Sequence, residues 1–167
     1  MTTMRRLRPK MQDYGISASP DGLLDWAWAE TRLQTSRNYW IITAAPDGQP
    51  GAAPVWGIWI DGTLFFGVGK GSRKGRHLAA NPRLIAHLES GDEVVIVEGQ
   101  AEAVTDPARL AQLLPLYGAK YAFTPDASDP NSLYLIVRPQ VVLAWLENDF
   151  PNTATRFEFE YVRPALS

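Results

Sequence analysis

Residues 70–83 read Lys-Gly-Ser-Arg-Lys-Gly-Arg-His-Leu-Ala-Ala-Asn-Pro-Arg. Lys70, Arg73, Lys74 and Arg76 fall in a Gly-rich turn that follows an aromatic strand-like run, Leu64 to Val68. An amphipathic segment comes next and must stop at Asn81-Pro82, because proline disfavours helical geometry for the residue before it. Ammonium and guanidinium groups beside the N–H groups of a helix start make a site for an anion, phosphate above all. A solvated basic loop has the same composition, since Lys and Arg are usually exposed.

Other chemistries are excluded or thinly represented. There is no Cys, so no disulfide, thiolate nucleophile or Cys-bound metal is available. His77 and His87 are the two histidines, and no carboxylate cluster at ligand spacing accompanies them. No Ser-His-Asp order and no pair of catalytic carboxylates stands out. A net charge of −2 argues against a general nucleic-acid surface. No apolar run approaches the roughly 20 residues of a membrane span, so the expectation is a soluble, cytoplasmic protein.

The elements that must position the basic turn are mostly strands. Residues 1–20 read as a loose, flexible N-terminal arm, and 21–167 as a single domain. Leu23 to Gln34 is expected to be a helix capped by Asp21. Strands are expected at Tyr39–Ala44, Ala53–Ile60, Thr63–Val68, Leu84–Leu88, Val94–Val104, Leu133–Val137, Val141–Leu146 and Arg156–Tyr161. The turns are Pro46-Asp47-Gly48 and Asp61-Gly62. Gly99 marks a bulge or bend in a long strand, and Pro107 to Tyr117 a second helix. Many short strands with few helices indicate a mainly β protein, a closed or half-closed antiparallel barrel.

Strand, Asp-Gly turn, aromatic strand, Ser72-Arg73-Lys74, Leu78, Asn81-Pro82 and then Val97-Glu98-Gly99-Gln100-Ala101-Glu102 together resemble the pyridoxamine 5′-phosphate oxidase-like family of flavin and deazaflavin proteins. The similarity covers roughly residues 35–160. It implies a six-stranded antiparallel split β-barrel, a homodimer, and a cofactor cleft lined by both subunits. Carried over by position, Ser72, Arg73 and Lys74, with Lys70 beside them, bind the cofactor phosphate. Pro54, Val55 and Trp56 pack on the isoalloxazine ring, and Gly67 and Val68 lie beneath the ribityl chain. Trp145 and Arg156 approach the cofactor from the partner subunit.

The departures bear on the substrate. Val94 stands near the position of a flavin-contacting Gln, and Ala52-Ala53 where the true oxidases carry Arg. Their C-terminal Arg-x-His pair is not reproduced in Arg156-Phe157-Glu158 or Tyr161-Val162-Arg163-Pro164. The expectation is therefore an oxidoreductase with negligible pyridoxamine 5′-phosphate oxidase activity. It would act on a small, planar organic substrate in a pocket lined by Trp56, Trp145 and Phe157. FMN is the expected cofactor. Coenzyme F420 is the alternative, and its longer acidic tail would want further cations such as Arg76 and Arg83. A non-catalytic flavin or haem carrier, with His77 or His87 as axial ligand, is the reading from another class. Tyr117, Tyr121 and Arg156 are possible substrate-side groups.

Overall fold

A computed structural model describes residues 2–161 of the chain. Strand β1 (Thr2–Leu7) is followed by helix α1 (Trp26–Thr35), β2 (Asn38–Ala44), β3 (Pro50–Ile60) and β4 (Thr63–Gly69). Then come α2 (Arg73–Ala80), β5 (Arg83–His87), β6 (Glu93–Ala103), α3 (Pro107–Tyr121) and β7 (Ser132–Leu146). A 3-10 turn at Glu147–Asp149, the short α4 (Phe150–Thr153) and β8 (Thr155–Tyr161) complete the described chain. The strand order is β1-β8-β7-β4-β3-β2-β5-β6, and β6 returns to pair with β7. Strands β2 to β7 therefore close a six-stranded antiparallel barrel, and β8 and β1 extend the sheet from β7.

Alternation builds the barrel. On β2, Tyr39, Ile41 and Thr43 are buried while Asn38, Trp40, Ile42 and Ala44 are not. Tyr39 and Ile41 join Leu64, Phe66, Val95, Val97, Val137, Val142 and Phe157 in one core. A second cluster lies on the other face of the sheet, where α3 lays Leu110, Leu113 and Leu114 on Ile58, Phe65 and Tyr134. Asp61 and Gly62 both have positive φ, 49° and 70°, the pair of left-handed residues that a tight β3–β4 hairpin requires.

Three expectations are corrected. The two strands foreseen at 133–137 and 141–146 are one, β7. The register shifts at Glu98/Gly99, so that Gly99 faces Pro139, Glu98 faces Val141, and Gln140 is left over. A bulge is where proline, lacking an N–H, can sit within a strand. The loose arm foreseen over 1–20 begins as β1, which pairs Thr2–Leu7 with Tyr161–Arg156 and is tied by Arg5 to Glu158 at 2.6 Å. Its partner lies at the far end of the chain, so no local signal announces it. Helix α1 starts at Trp26 rather than Leu23: the Leu24 N–H is tied to Thr155 Oγ1 at 2.8 Å, Asp25 holds the N-cap position, and Asp21 bonds Ser19 Oγ instead.

Val162-Arg163-Pro164, named above for its poor match to the oxidases, lies outside the described residues. Among the described residues no helix is long and apolar enough to cross a membrane.

Candidate functional site

Strands β3 and β4 pair only from Gly57–Ile60 to Thr63–Phe66. Beyond that hairpin each strand follows another neighbour: Pro54, Val55 and Trp56 stay with β2, while Gly67, Val68 and Gly69 stay with β7. The two segments part, and a groove of ≈ 300 Å³ opens between them. Its lining is Pro54, Val55, Trp56, Gly67, Val68, Gly69, Ser72, Lys74 and Tyr117. Seven of the cofactor candidates singled out in the sequence, and Tyr117 with them, thus share one groove.

The start of α2 forms one end of it. Ser72 is the N-cap, its Oγ accepting from the Gly75 N–H at 3.0 Å. The first-turn N–H groups of Arg73 and Lys74 have no intrahelical acceptor, and the half-buried Lys74 side chain lines the groove beside them. The helix can dock this closely because residue 75 is glycine. A Cβ there would lie 2.4 Å from the Gly69 carbonyl oxygen and 2.7 Å from that of Lys70.

Trp56 forms the aromatic end. One face of its indole stacks on Tyr121, with ring centres 4.7 Å apart and planes within 6°. The Tyr121 hydroxyl accepts from the Gly57 N–H at 2.8 Å and lies 2.6 Å from the Arg37 carbonyl and 2.7 Å from that of Gly57. Lys120 Nζ donates to the carbonyls of Ser36 and Gly57, at 2.5 and 2.8 Å, and reaches Tyr39 Oη at 3.3 Å. The last turn of α3 is thereby locked against the strand that carries Trp56. Burial, then the neighbouring Arg37 charge, pulls the Lys120 pKa down to about 8. Burial pushes the Tyr117 phenol up to about 12, with Tyr121 and Tyr134 adding to it. Tyr117 therefore stays protonated at neutral pH, a donor on the groove wall.

Four sequence-selected residues lie elsewhere. Lys70 Nζ donates to the Pro130 carbonyl at 2.6 Å. The Arg73 guanidinium donates to the Pro50 carbonyl at 2.9 Å, on the β2–β3 hairpin. Trp145 packs edge-on against Phe150, with ring centres 5.5 Å apart, and Arg156 bonds Glu158 at 2.8 Å. Neither reaches the groove within its own chain. Phe157 is fully buried in the barrel core, so the pocket foreseen from Trp56, Trp145 and Phe157 is not assembled by one chain. His77 Nδ1 is 2.9 Å from Thr43 Oγ1 and buried. His87 donates Nδ1–H to the Leu88 carbonyl at 2.7 Å and stacks on Trp40.

Of the possible substrate-side groups, Tyr117 lines the groove and Tyr121 stands behind Trp56. The bracing role of Lys120 was missed, although Tyr117, Lys120 and Tyr121 share the spacing of one helix face.

A family model described as pyridoxamine 5′-phosphate oxidase matches residues 27–146. Among solved structures the fold is similar to that of a conserved hypothetical protein, Rv2991, from Mycobacterium tuberculosis, with 24% identity, 78% of this chain and 89% of that chain covered, and a TM-score of 0.66. It is similar to an F420 reductase, with 24% identity, 68% and 94% covered, and a TM-score of 0.56. It is also similar to a FAD-binding protein from Mesorhizobium loti, with 19% identity, 80% and 95% covered, and a TM-score of 0.60. No curated protein matches the sequence.

Proposed function

The chain belongs to the pyridoxamine 5′-phosphate oxidase family, and from that premise we propose that its groove holds FMN and serves hydride transfer between the flavin and a small organic substrate. One observation carries the reading: a phosphate-type helix start and an aromatic platform face a single groove formed where β3 and β4 part.

The residues present fit such a group. Lys74 Nζ, the Ser72 hydroxyl and the Arg73 and Lys74 N–H groups would hold the phosphate. Gly67 puts no side chain into the floor, and Trp56 offers a braced indole to a planar ring. When bound, the flavin supplies the redox chemistry. Tyr117 keeps its proton and can donate a hydrogen bond to whatever lies beside it.

FMN is preferred to F420 because the cations a longer acidic tail would need are turned away. Arg76 donates to the Gly71 carbonyl at 2.5 Å, and Arg83 borders a separate hollow with Ile42, Ile85 and Glu98. A haem carrier is disfavoured because both histidines are engaged outside the groove.

The functional unit of this reading is a homodimer. Across the outside of the barrel, Pro54, Trp40, His87, Ile96, Leu143 and Arg156 stand opposite one another in a cross-strand row. Trp40, Ile96 and Leu143 are only half-buried. A two-fold axis near the middle of the row would set Arg156 of the partner subunit against the Pro54 rim of the groove.

The test is native purification followed by absorbance and mass spectrometry of the released chromophore. A flavin spectrum with the mass of FMN is expected. A protein that is colourless and fails to take up FMN on incubation would overturn the assignment.

A further inference from the structure

Arg37 lies in the short connection between α1 and β2, and its carbonyl is within 2.6 Å of the Tyr121 hydroxyl. Its guanidinium carbon is 5.7 Å from the centre of the Trp56 ring and 5.6 Å from that of Tyr121. Both distances fall within the range of a long cation–π contact, to rings that are themselves stacked 4.7 Å apart. A ring face offers no oxygen to the planar guanidinium donors. These contacts therefore leave the fork without an acceptor and its charge without a counter-ion.

Nothing acidic compensates it either. Among the described residues the arginines in ion pairs are Arg5, Arg6, Arg32, Arg109, Arg138 and Arg156. Arg37 is in none of them, and no side-chain hydrogen bond from it is formed there. Its cationic neighbour Lys120 is bonded to neutral oxygens only. Two positive charges thus stand next to Trp56, just outside the groove lining, with no carboxylate partner among the described residues. Lys74 is a separate cation at the helix end.

We propose that Arg37 is an anion anchor at the rim beyond Trp56, and that the substrate is a planar aromatic compound bearing a carboxylate or sulfonate. The substrate ring lies along the outer edge of Trp56, beside the face given to the flavin, and the anionic group takes the guanidinium fork, whose planar donors match a two-oxygen acceptor. This deepens the proposed function and rests on the groove being the substrate site. It does not require that the cofactor be FMN. It keeps the planar substrate expected from the sequence but not the pocket of Trp56, Trp145 and Phe157, since Trp145 and Phe157 do not line the groove.

The test compares two probes of one ring system by calorimetry, naphthalene-2-sulfonate and the neutral 2-naphthalenemethanol. Both are titrated into protein as purified and after saturation with FMN, whose own binding is measured first. The sulfonate should bind about tenfold more tightly, the scale of one charge-assisted contact, and this preference should shrink as salt is raised. Arg37→Gln should erase the preference while the neutral probe's affinity is kept. Trp56→Ala should weaken both probes. Arg37 is exposed, so loss of folding does not cloud its variant. Equal binding of the two probes, or a preference that survives in Arg37→Gln, would overturn the anchor. If FMN fails to bind but the Arg37-dependent preference persists, the cofactor assignment falls and the anchor stands.

Discussion

Lys74 and Arg73 are neighbours of similar charge, yet the fold gives them different surroundings. Lys74 lines the groove, whereas the Arg73 guanidinium is spent on the Pro50 carbonyl. A charge-assisted hydrogen bond contributes about 1.5–3 kcal/mol. Lys74→Ala should therefore weaken FMN binding at least about tenfold, and Arg73→Ala should change it by much less, as read by flavin fluorescence titration. Equal losses in both variants would contradict this division. The helix start was legible in the sequence, because Gly and Ser before an amphipathic run with an Asn-Pro stop mark a short capped helix, although its cations read equally as a solvated loop. Which cation faces the groove was not, because that depends on the hairpin that captures Arg73. Lys120 gives a second prediction at this scale. Its pKa is lowered from 10.5 to about 8, so above that pH the folded chain has released a proton that the unfolded chain still binds. Stability should accordingly rise with pH from about 8 to 9.5, below the range where tyrosines ionise. Lys120→Met should flatten that rise in urea unfolding series. A wild-type stability that falls or stays level across this window would refute the assignment.

At the scale of elements, the groove exists because two strands part and a helix starts in the gap. The approach of α2 depends on Gly75, where a Cβ would press on the Gly69 and Lys70 carbonyl oxygens. Gly75→Ala should cost about 2 kcal/mol or more in stability and loosen FMN as well. At Gly71 a Cβ meets nothing within 4 Å, so Gly71→Ala should stay within about 0.5 kcal/mol of wild type. Urea midpoints would check both. Strands with clean alternation and a marked turn, such as β2 and the β3–β4 hairpin, could be read directly from sequence. β1 could not, because its pairing is non-local. Nor could the unity of β7, because Pro139 looks like a break until the bulge opposite Gly99 gives it a place. The parting of β3 from β4 was equally hidden, since it follows from which neighbours the two strands choose.

For the whole molecule, the cross-strand row from Pro54 to Arg156 predicts a two-fold dimer at micromolar concentration, to be weighed by light scattering. A monomeric mass would remove Trp145 and Arg156 from any role at the groove. The missing Arg-x-His pair predicts negligible formation of pyridoxal 5′-phosphate from pyridoxamine 5′-phosphate by FMN-loaded protein. Turnover on the order of 1 per second would show that reading to be wrong. If the start of α2 takes a phosphate while the Trp56 end takes a ring, FMN and riboflavin, which differ only in the phosphate, should separate on titration into wild type and Lys74→Ala. Wild type should bind FMN at least about tenfold more tightly than riboflavin, and the substitution should remove most of this difference. Equal affinities for the two flavins in wild type, or a preference for FMN that is unchanged in Lys74→Ala, would contradict it.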